Sequence, residues 1–490
     1  MNYRYLIPMM IFIIFIGCSK GNMHNRIVPT KEGLNKHSVF THSERTVTVY
    51  VHGFKSDGHE RNTVYGNEYS DEFSSKLRAF TGFPSIFTYN KNNFSNLLIG
   101  VEFYGSKAPS YYIKSDKNDI EATSDGIPKY SLIVAKFIKH IMKETKANKV
   151  NIASVSMGSL ITRYMIEKNL ENLASDRKIE KWITVEGVLR GNYALTKLDD
   201  IDSRLVQNII DFFNNAPETE QMKYQWIEKN LTRNRAVMDS IYYKNILLGQ
   251  ISLTDSEKDG GVGLKYIFPT DKGINLKHMI ANHGGFQPND GYQLVQDTYC
   301  STVNTNMQVP SHTLIHTDHV GVNTNDGVFA SLTAFLEARK RVRITLIDVT
   351  VNNLHEKIIP RLNEDAEIVF ENKIFSKQVK DKFFTMSPIS ERNYDSGLLP
   401  IHYFQEEREP KRIQQVLFDD FVLNNENKVQ IKVEAYELDR SFKYKIEEFI
   451  TIEPKESLGS TIVSVDLVNG VYKIVSRDWS GYIKVEVVEM

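Results

Sequence analysis

The chain has 490 residues, too many for one ordinary core, so about two or three domains are expected. It is 41% hydrophobic and 25% charged, the composition of a folded protein, and its 60 Lys+Arg against 61 Asp+Glu leave a net charge of -1. That balance gives no reason to expect a nucleic-acid or strongly acidic partner, and with only two cysteines a disulfide framework or an all-cysteine metal site is excluded.

The chain opens with Met1-Asn2-Tyr3-Arg4, a short positive segment, followed by an apolar run from Leu6 to Ile16 that is shorter than a bilayer span. The run ends in Phe15-Ile16-Gly17-Cys18-Ser19, which resembles the lipobox of bacterial lipoproteins, with Phe15 where leucine is usual. The resemblance implies a signal peptide over 1–17 and acylation of Cys18. It also implies a bacterial cell-envelope location, with attachment to the membrane through two or three acyl chains. Ser19 is not the aspartate associated with inner-membrane retention, which points to the outer membrane. Residues 18–43 are polar, without an apolar period, and read as a tether. A lipidated Cys18 leaves Cys300 without an intramolecular disulfide partner.

Thr46–Val51 is β-branched and aromatic, a strand, and it ends in His52-Gly53-Phe54. A helix is expected over Asn67–Phe80, a strand over Pro84–Tyr89, and a mostly irregular stretch from Asn90 to Asp125 with a strand at Leu97–Tyr104. Ile127–Thr145 reads as a helix, with Pro128 in its first turn and Leu132, Ala135, Ile138 and Met142 on one stripe. Val150–Val155 then leads through Ser154, Ser156 and Gly158 into a helix-compatible run. A serine on a tight strand-to-helix turn needs small neighbours two residues either side; the usual motif has Gly at both, and here one is Ser154.

Lys181–Val185 is the next strand, ending in Glu186-Gly187-Val188-Leu189-Arg190-Gly191-Asn192. A helical insert is expected at about 196–244, then strands at Asn245–Ile251 and Ser311–His316 and a helix at Val328–Glu337. Strands alternating with helices build a mostly parallel sheet covered on both faces. From residue 341 the pattern becomes alternating strands, as at Val342–Leu346, Val429–Ala435 and Ile483–Val487, with a hairpin signal at Asn469-Gly470. Residues 341–490 are therefore expected to form an antiparallel β-sandwich, similar to C2 or PLAT domains by analogy only.

Residues 44–340 resemble the α/β-hydrolase superfamily, in particular bacterial lipases and esterases. The resemblance rests on the Ser156 elbow, the His52-Gly53 loop, Asn289-Asp290-Gly291 and Asp318-His319-Val320-Gly321. Arg190-Gly191-Asn192 matches the second half of a turn that this family carries after the strand following the nucleophile helix, while the Pro-His half is absent. The resemblance implies an α/β-hydrolase fold with a helical cap and a serine nucleophile in the chain order Ser, acid, His. Ser156 would attack, His319 would act as base and Asp290 would orient it, with the backbone N–H groups of Phe54 and Met157 as oxyanion donors. Asp259, in Asp259-Gly260-Gly261, is the alternative acid, because Asn-Asp-Gly is also ordinary turn chemistry. His316 is the rival base. The pairs His316/His319 and His278/His283 lack further ligands at diagnostic spacing, so neither a metal nor a cofactor is expected. The expected substrate is a carboxylic ester, and more specifically a lipid. The other reading is an inactive surface lipoprotein that uses the scaffold to bind an envelope or host ligand.

Overall fold

The computed structural model describes residues 45–55, 62–90, 94–196, 216–253 except 233, 290–299 except 291, 310–337 except 316, 340–353, 366–379, 382–386, 402–422 except 406, 427–439 and 453–489. Cys18 with its signal peptide and tether, Asp259, Cys300, His278, His283, His316 and residues 197–215 of the expected insert lie outside the described residues.

The N-terminal part is built on a 7-stranded sheet. Its strands are β1 (Thr46–Val51), β2 (Glu68–Tyr69), β3 (Asn96–Val101), β4 (Lys149–Val155), β5 (Ile179–Val185), β6 (Leu247–Leu253) and β7 (Ser311–Ile315). They lie in the order β2-β3-β1-β4-β5-β6-β7. All neighbours pair in parallel except the short β2, which is antiparallel to β3. The helices are α1 (Glu72–Thr81), α2 (Lys114–Ala122), α3 (Ile127–Thr145), α4 (Met157–Glu167) and α5 (Asp326–Glu337). Apart from the short edge strand β2, which follows β1 in the chain, the parallel run β3-β1-β4-β5-β6-β7 has the strand order of the α/β-hydrolase fold.

The apolar patterning explains why both faces are covered. Val47, Val49 and Val51 of β1 share one core with Ile133, Phe137 and Ile138 of α3 and Leu160 and Met165 of α4. Tyr50 points to the opposite side and packs with Phe73 and Leu77 of α1 and Phe329 and Phe335 of α5. Every residue of β1, β5 and β6 is buried, as expected of central parallel strands. Among the described residues no helix is long and apolar enough to cross a membrane.

Antiparallel strands begin at β8 (Lys340–Val351). They continue as β9 (Ala366–Val379), β10 (Lys382–Met386), β11 (His402–Phe404), β12 (Pro410–Val422), β13 (Lys428–Asp439), β14 (Glu453–Asp466), β15 (Gly470–Val475) and β16 (Trp479–Glu489). A 5-stranded sheet runs β10-β9-β13-β14 with β11 on β9, and a 4-stranded sheet runs β12-β8-β16-β15. Val342, Ile344 and Leu346 of β8 and Ile483 and Val485 of β16 pack against Ile368, Phe370, Ile431 and Val433 of the other sheet, so the two sheets form a sandwich.

The sandwich is joined to the 7-stranded sheet through β8 and β12. The Phe421 ring meets Phe335 of α5 edge-on at 4.9 Å. Arg341 donates to the Pro310 carbonyl at 3.1 Å, and the Thr313 hydroxyl donates to the Asp420 carboxyl group. Asp419 is held by Arg341 and Arg343, each at 2.8 Å.

Three local expectations are corrected. Pro84–Tyr89 is a turn rather than a strand: the N–H groups of Thr88 and Tyr89 both bond back to the Ser85 carbonyl, and Phe87 is exposed. Lys114–Ala122 is a helix rather than loop, and its sequence hid this because Ile120 is its one buried residue. Asn469-Gly470 does not close a hairpin. β14 pairs with β13 and β15 pairs with β16, so the turn carries the chain from one sheet to the other, and the Asn469 side chain accepts the Val487 N–H at 2.6 Å.

Candidate active site

Because the central strands are parallel, their carboxyl ends share one edge, where α/β proteins assemble binding sites. β1 ends there in His52-Gly53-Phe54, β4 in Ser156, β5 in Glu186 and β7 just before His319.

Ser156 sits between β4 and α4 with φ 50 and ψ -125, a conformation that L residues adopt only at a cost of order 1–3 kcal/mol. Surrounding bonds hold it. Its N–H donates to the Val185 carbonyl at 2.9 Å, and its carbonyl accepts from Ser159 at 3.0 Å and Val188 at 3.2 Å. Gly158 is required by packing, because a Cβ there would lie 2.4 Å from both the Val51 and His52 carbonyl oxygens. Met157 opens α4, so its N–H has no acceptor within the helix.

Ser154 has a role that its motif position does not suggest. It is fully buried, and its hydroxyl accepts from the Trp182 indole N–H at 3.2 Å and donates to the Ile183 carbonyl at 3.3 Å. The same indole N–H reaches the Thr162 hydroxyl at 2.9 Å. β4, β5 and α4 are thereby tied together beneath the elbow.

The β1 loop lies against the serine: a Cβ on Gly53 would be 3.1 Å from Ser156 Cβ and 3.6 Å from its Oγ. Nδ1 of His52 is 2.8 Å from the Gly53 carbonyl, and its Nε2 is 3.4 Å from Glu102. Burial lowers the His52 pKa, and its two ring nitrogens face two acceptors, the Gly53 carbonyl and the Glu102 carboxyl group. In a trans peptide the C=O and N–H point in opposite directions, so fixing the Gly53 carbonyl on His52 turns the Phe54 N–H away from the ring. Phe103 stacks on His52 at 4.1 Å and fixes its plane.

His319 and Asp290 meet directly. Nδ1 of His319 donates to Oδ2 of Asp290 at 2.9 Å, and the His319 backbone N–H donates to the Asp290 carbonyl at 2.9 Å. Asp290 is 1% exposed, and its Oδ1 accepts the N–H groups of Tyr292 at 2.9 Å and Gln293 at 2.7 Å. Tyr292 packs on the His319 ring at 4.6 Å. Ser156 Oγ makes no hydrogen bond to His319 among the described residues; such contacts are commonly long without substrate and tighten when it binds.

The loop after β5 clasps this arrangement. Asn192 donates to the Tyr292 carbonyl and to the Gln293 side chain, each at 2.9 Å, and Gln293 donates to the Gly191 carbonyl at 2.6 Å. The described part of the insert is packed into the main core through Met222, Ile227, Val237 and Tyr243. It is also bonded there, since Tyr104 and Tyr130 both donate to the buried Glu218.

Sequence reasoning assigned nothing to Glu186. It is 1% exposed, with φ 43, and its Oε2 lies 3.1 Å from Nδ1 of His319. One donor atom each from Glu186, Asp290 and His319 fall within 4.8 Å of one another. Burial first, then the neighbouring Asp290 carboxylate, raise the Glu186 pKa well above the usual carboxylate range. The available signal was its place at the carboxyl end of the strand beside the one that ends in Ser156.

No family model and no curated protein matches the chain. Solved structures similar to it include lipases and esterases at low identity. The mature lipase BlEst2 of Bacillus licheniformis is 13% identical over 62% of this chain and 96% of its own, with a TM-score of 0.35. Phospholipase PlaB from Legionella pneumophila is 9% identical over 80% of this chain and 86% of its own, with a TM-score of 0.35. A lipase-esterase related protein from Clostridium acetobutylicum is 13% identical over 61% of this chain and 97% of its own, with a TM-score of 0.28.

Proposed function

We propose that the chain is a serine hydrolase of carboxylic esters. The observation that carries this reading is the His319–Asp290 hydrogen bond, formed at the same sheet edge as a serine held in a strained strand-to-helix turn. Ser156 Oγ attacks the acyl carbonyl and gives its proton to Nε2 of His319, while Asp290 fixes the ring with Nδ1 protonated. The oxyanion of the tetrahedral intermediate takes the N–H groups of Phe54 and Met157; losing one such donor costs about 3 kcal/mol. His319 then protonates the departing alcohol, and water, deprotonated by His319, releases the acid from Ser156.

Lipid esters are the favoured substrates. Lipidation at Cys18 would anchor the enzyme to the bacterial cell envelope, on the outer membrane, and present residues 44–340 as a catalytic unit to a membrane. Residues 341–490 would form its partner domain. The carboxyl atoms of Asp290 already serve His319, which favours Asp290 over Asp259 as the acid.

The test is steady-state hydrolysis of short- and long-chain esters and of phospholipid vesicles. Asp290→Asn is expected to lower kcat by about three to four orders of magnitude with KM little changed, and Asp259→Asn to leave kcat unchanged. The opposite result would move the acid role to Asp259. Wild-type protein inert on every ester would end the reading.

A further inference from the structure

At the end of β5 the chain brings a second carboxyl group against the His319–Asp290 pair. Oε2 of Glu186 is 3.1 Å from Nδ1 of His319, but the N–H is directed at Asp290, and this Glu186 oxygen has no hydrogen-bond partner of its own. Two buried carboxylates in contact repel, and an unpartnered buried oxygen is costly. A proton on Glu186 removes both penalties, because a protonated carboxyl is a donor. Asp290 can receive it: Oδ1 is occupied by two backbone N–H groups, while Oδ2 has only the His319 N–H.

The backbone keeps Glu186 in this position. Its N–H donates to the Ile251 carbonyl at 2.8 Å, and a Cβ on the following Gly187 would lie 2.7 Å from Ser159 Cβ. The segment is thus wedged between β6 and α4, at a positive φ that a glutamate adopts only under constraint.

We propose, resting on the serine-hydrolase reading, that Glu186 is a positioning residue that works as a neutral acid: its hydroxyl donates to Oδ2 of Asp290 and holds that carboxylate on Nδ1 of His319. The groups facing it are Asp290 and Tyr292 on one loop, Asp318 and His319 on another, and Tyr50 on β1. The charges acting on it from Asp290 and Asp318 are negative, and with burial they keep the proton in place. Loss of that proton in alkali would set two anions side by side, break the Glu186–Asp290 bond and loosen His319.

The test is the pH profile of kcat and KM for wild type, Glu186→Gln and Glu186→Leu. The Gln amide still donates but cannot ionise, so Glu186→Gln should keep kcat within about threefold and extend the alkaline plateau. Glu186→Leu removes the donor and should lower kcat about tenfold at unchanged KM, moving the acid limb up by about one pH unit. Superimposable profiles for the three proteins would overturn the proposal. If wild type hydrolyses no ester, the serine-hydrolase reading has failed, and thermal unfolding still decides the state of Glu186. Glu186→Gln should then gain in midpoint over wild type as pH rises from about 4 to 9, whereas a constant difference would show that Glu186 holds no such proton.

Discussion

Asp420→Asn is expected to stabilise the protein at neutral pH and to do little in acid. Asp420 is 5% exposed, on β12, which joins the sandwich to the 7-stranded sheet. Burial pushes its pKa from 3.8 up to about 6, opposed by hydrogen bonds from Thr313 and from the Phe421 N–H at 2.7 Å. A raised carboxyl pKa means that the folded state holds its proton more tightly than the unfolded chain does. The stability this gives is complete below pH 3.8 and is lost as pH rises through about 6. A rise of roughly two units corresponds to about 3 kcal/mol. The asparagine keeps an acceptor for Phe421 and does not ionise, so it should recover most of this at pH 8, or about 5 °C in unfolding midpoint. Differential scanning calorimetry on both proteins at pH 4 and pH 8 measures the difference. An equal loss at both pH values would refute the reasoning, because it would mean that Asp420 acts as a structural anion.

Two further predictions concern the serine turn. Ser154→Ala should cost about 1 kcal/mol and keep activity, since Trp182 retains Thr162 as an acceptor, whereas Ser154→Leu should abolish activity; chemical denaturation and ester hydrolysis on the same samples separate these effects. Gly158→Ala places a methyl group against the carbonyls of Val51 and His52 and should lower kcat by about 10²–10³ through displacement of the His52-Gly53-Phe54 loop, with circular dichroism checking that the fold survives. For the N-terminus, Cys18→Ser should release the protein from membranes, and unchanged partitioning on fractionation would count against lipidation.

The central sheet was legible because its strands are continuous apolar runs set between helices with a 3.6-residue period. Ile127–Thr145, the turn at Ser156 and the strands on either side all follow from that pattern. The Lys114–Ala122 helix was not legible, because a helix that buries only Ile120 shows no stripe. Asn469-Gly470 misled for a different reason: turn chemistry fixes a local bend, while the partner of each flanking strand is decided by distant residues. The same limit hid Ser154 and Glu186. The Ser154 hydroxyl acts through Trp182 on the next strand, and Glu186 gains its meaning only where β5, β7 and the Asp290 loop converge. Asp290 and His319 were nameable from their order in the chain, but their contact is a property of the fold.

The most direct measurement is labelling of the intact protein with a fluorophosphonate, followed by mapping of the adduct by mass spectrometry. The account predicts one adduct on Ser156, absent in Ser156→Ala and strongly slowed in Asp290→Asn. A folded wild-type protein that takes no label, or takes it at another residue, would contradict it.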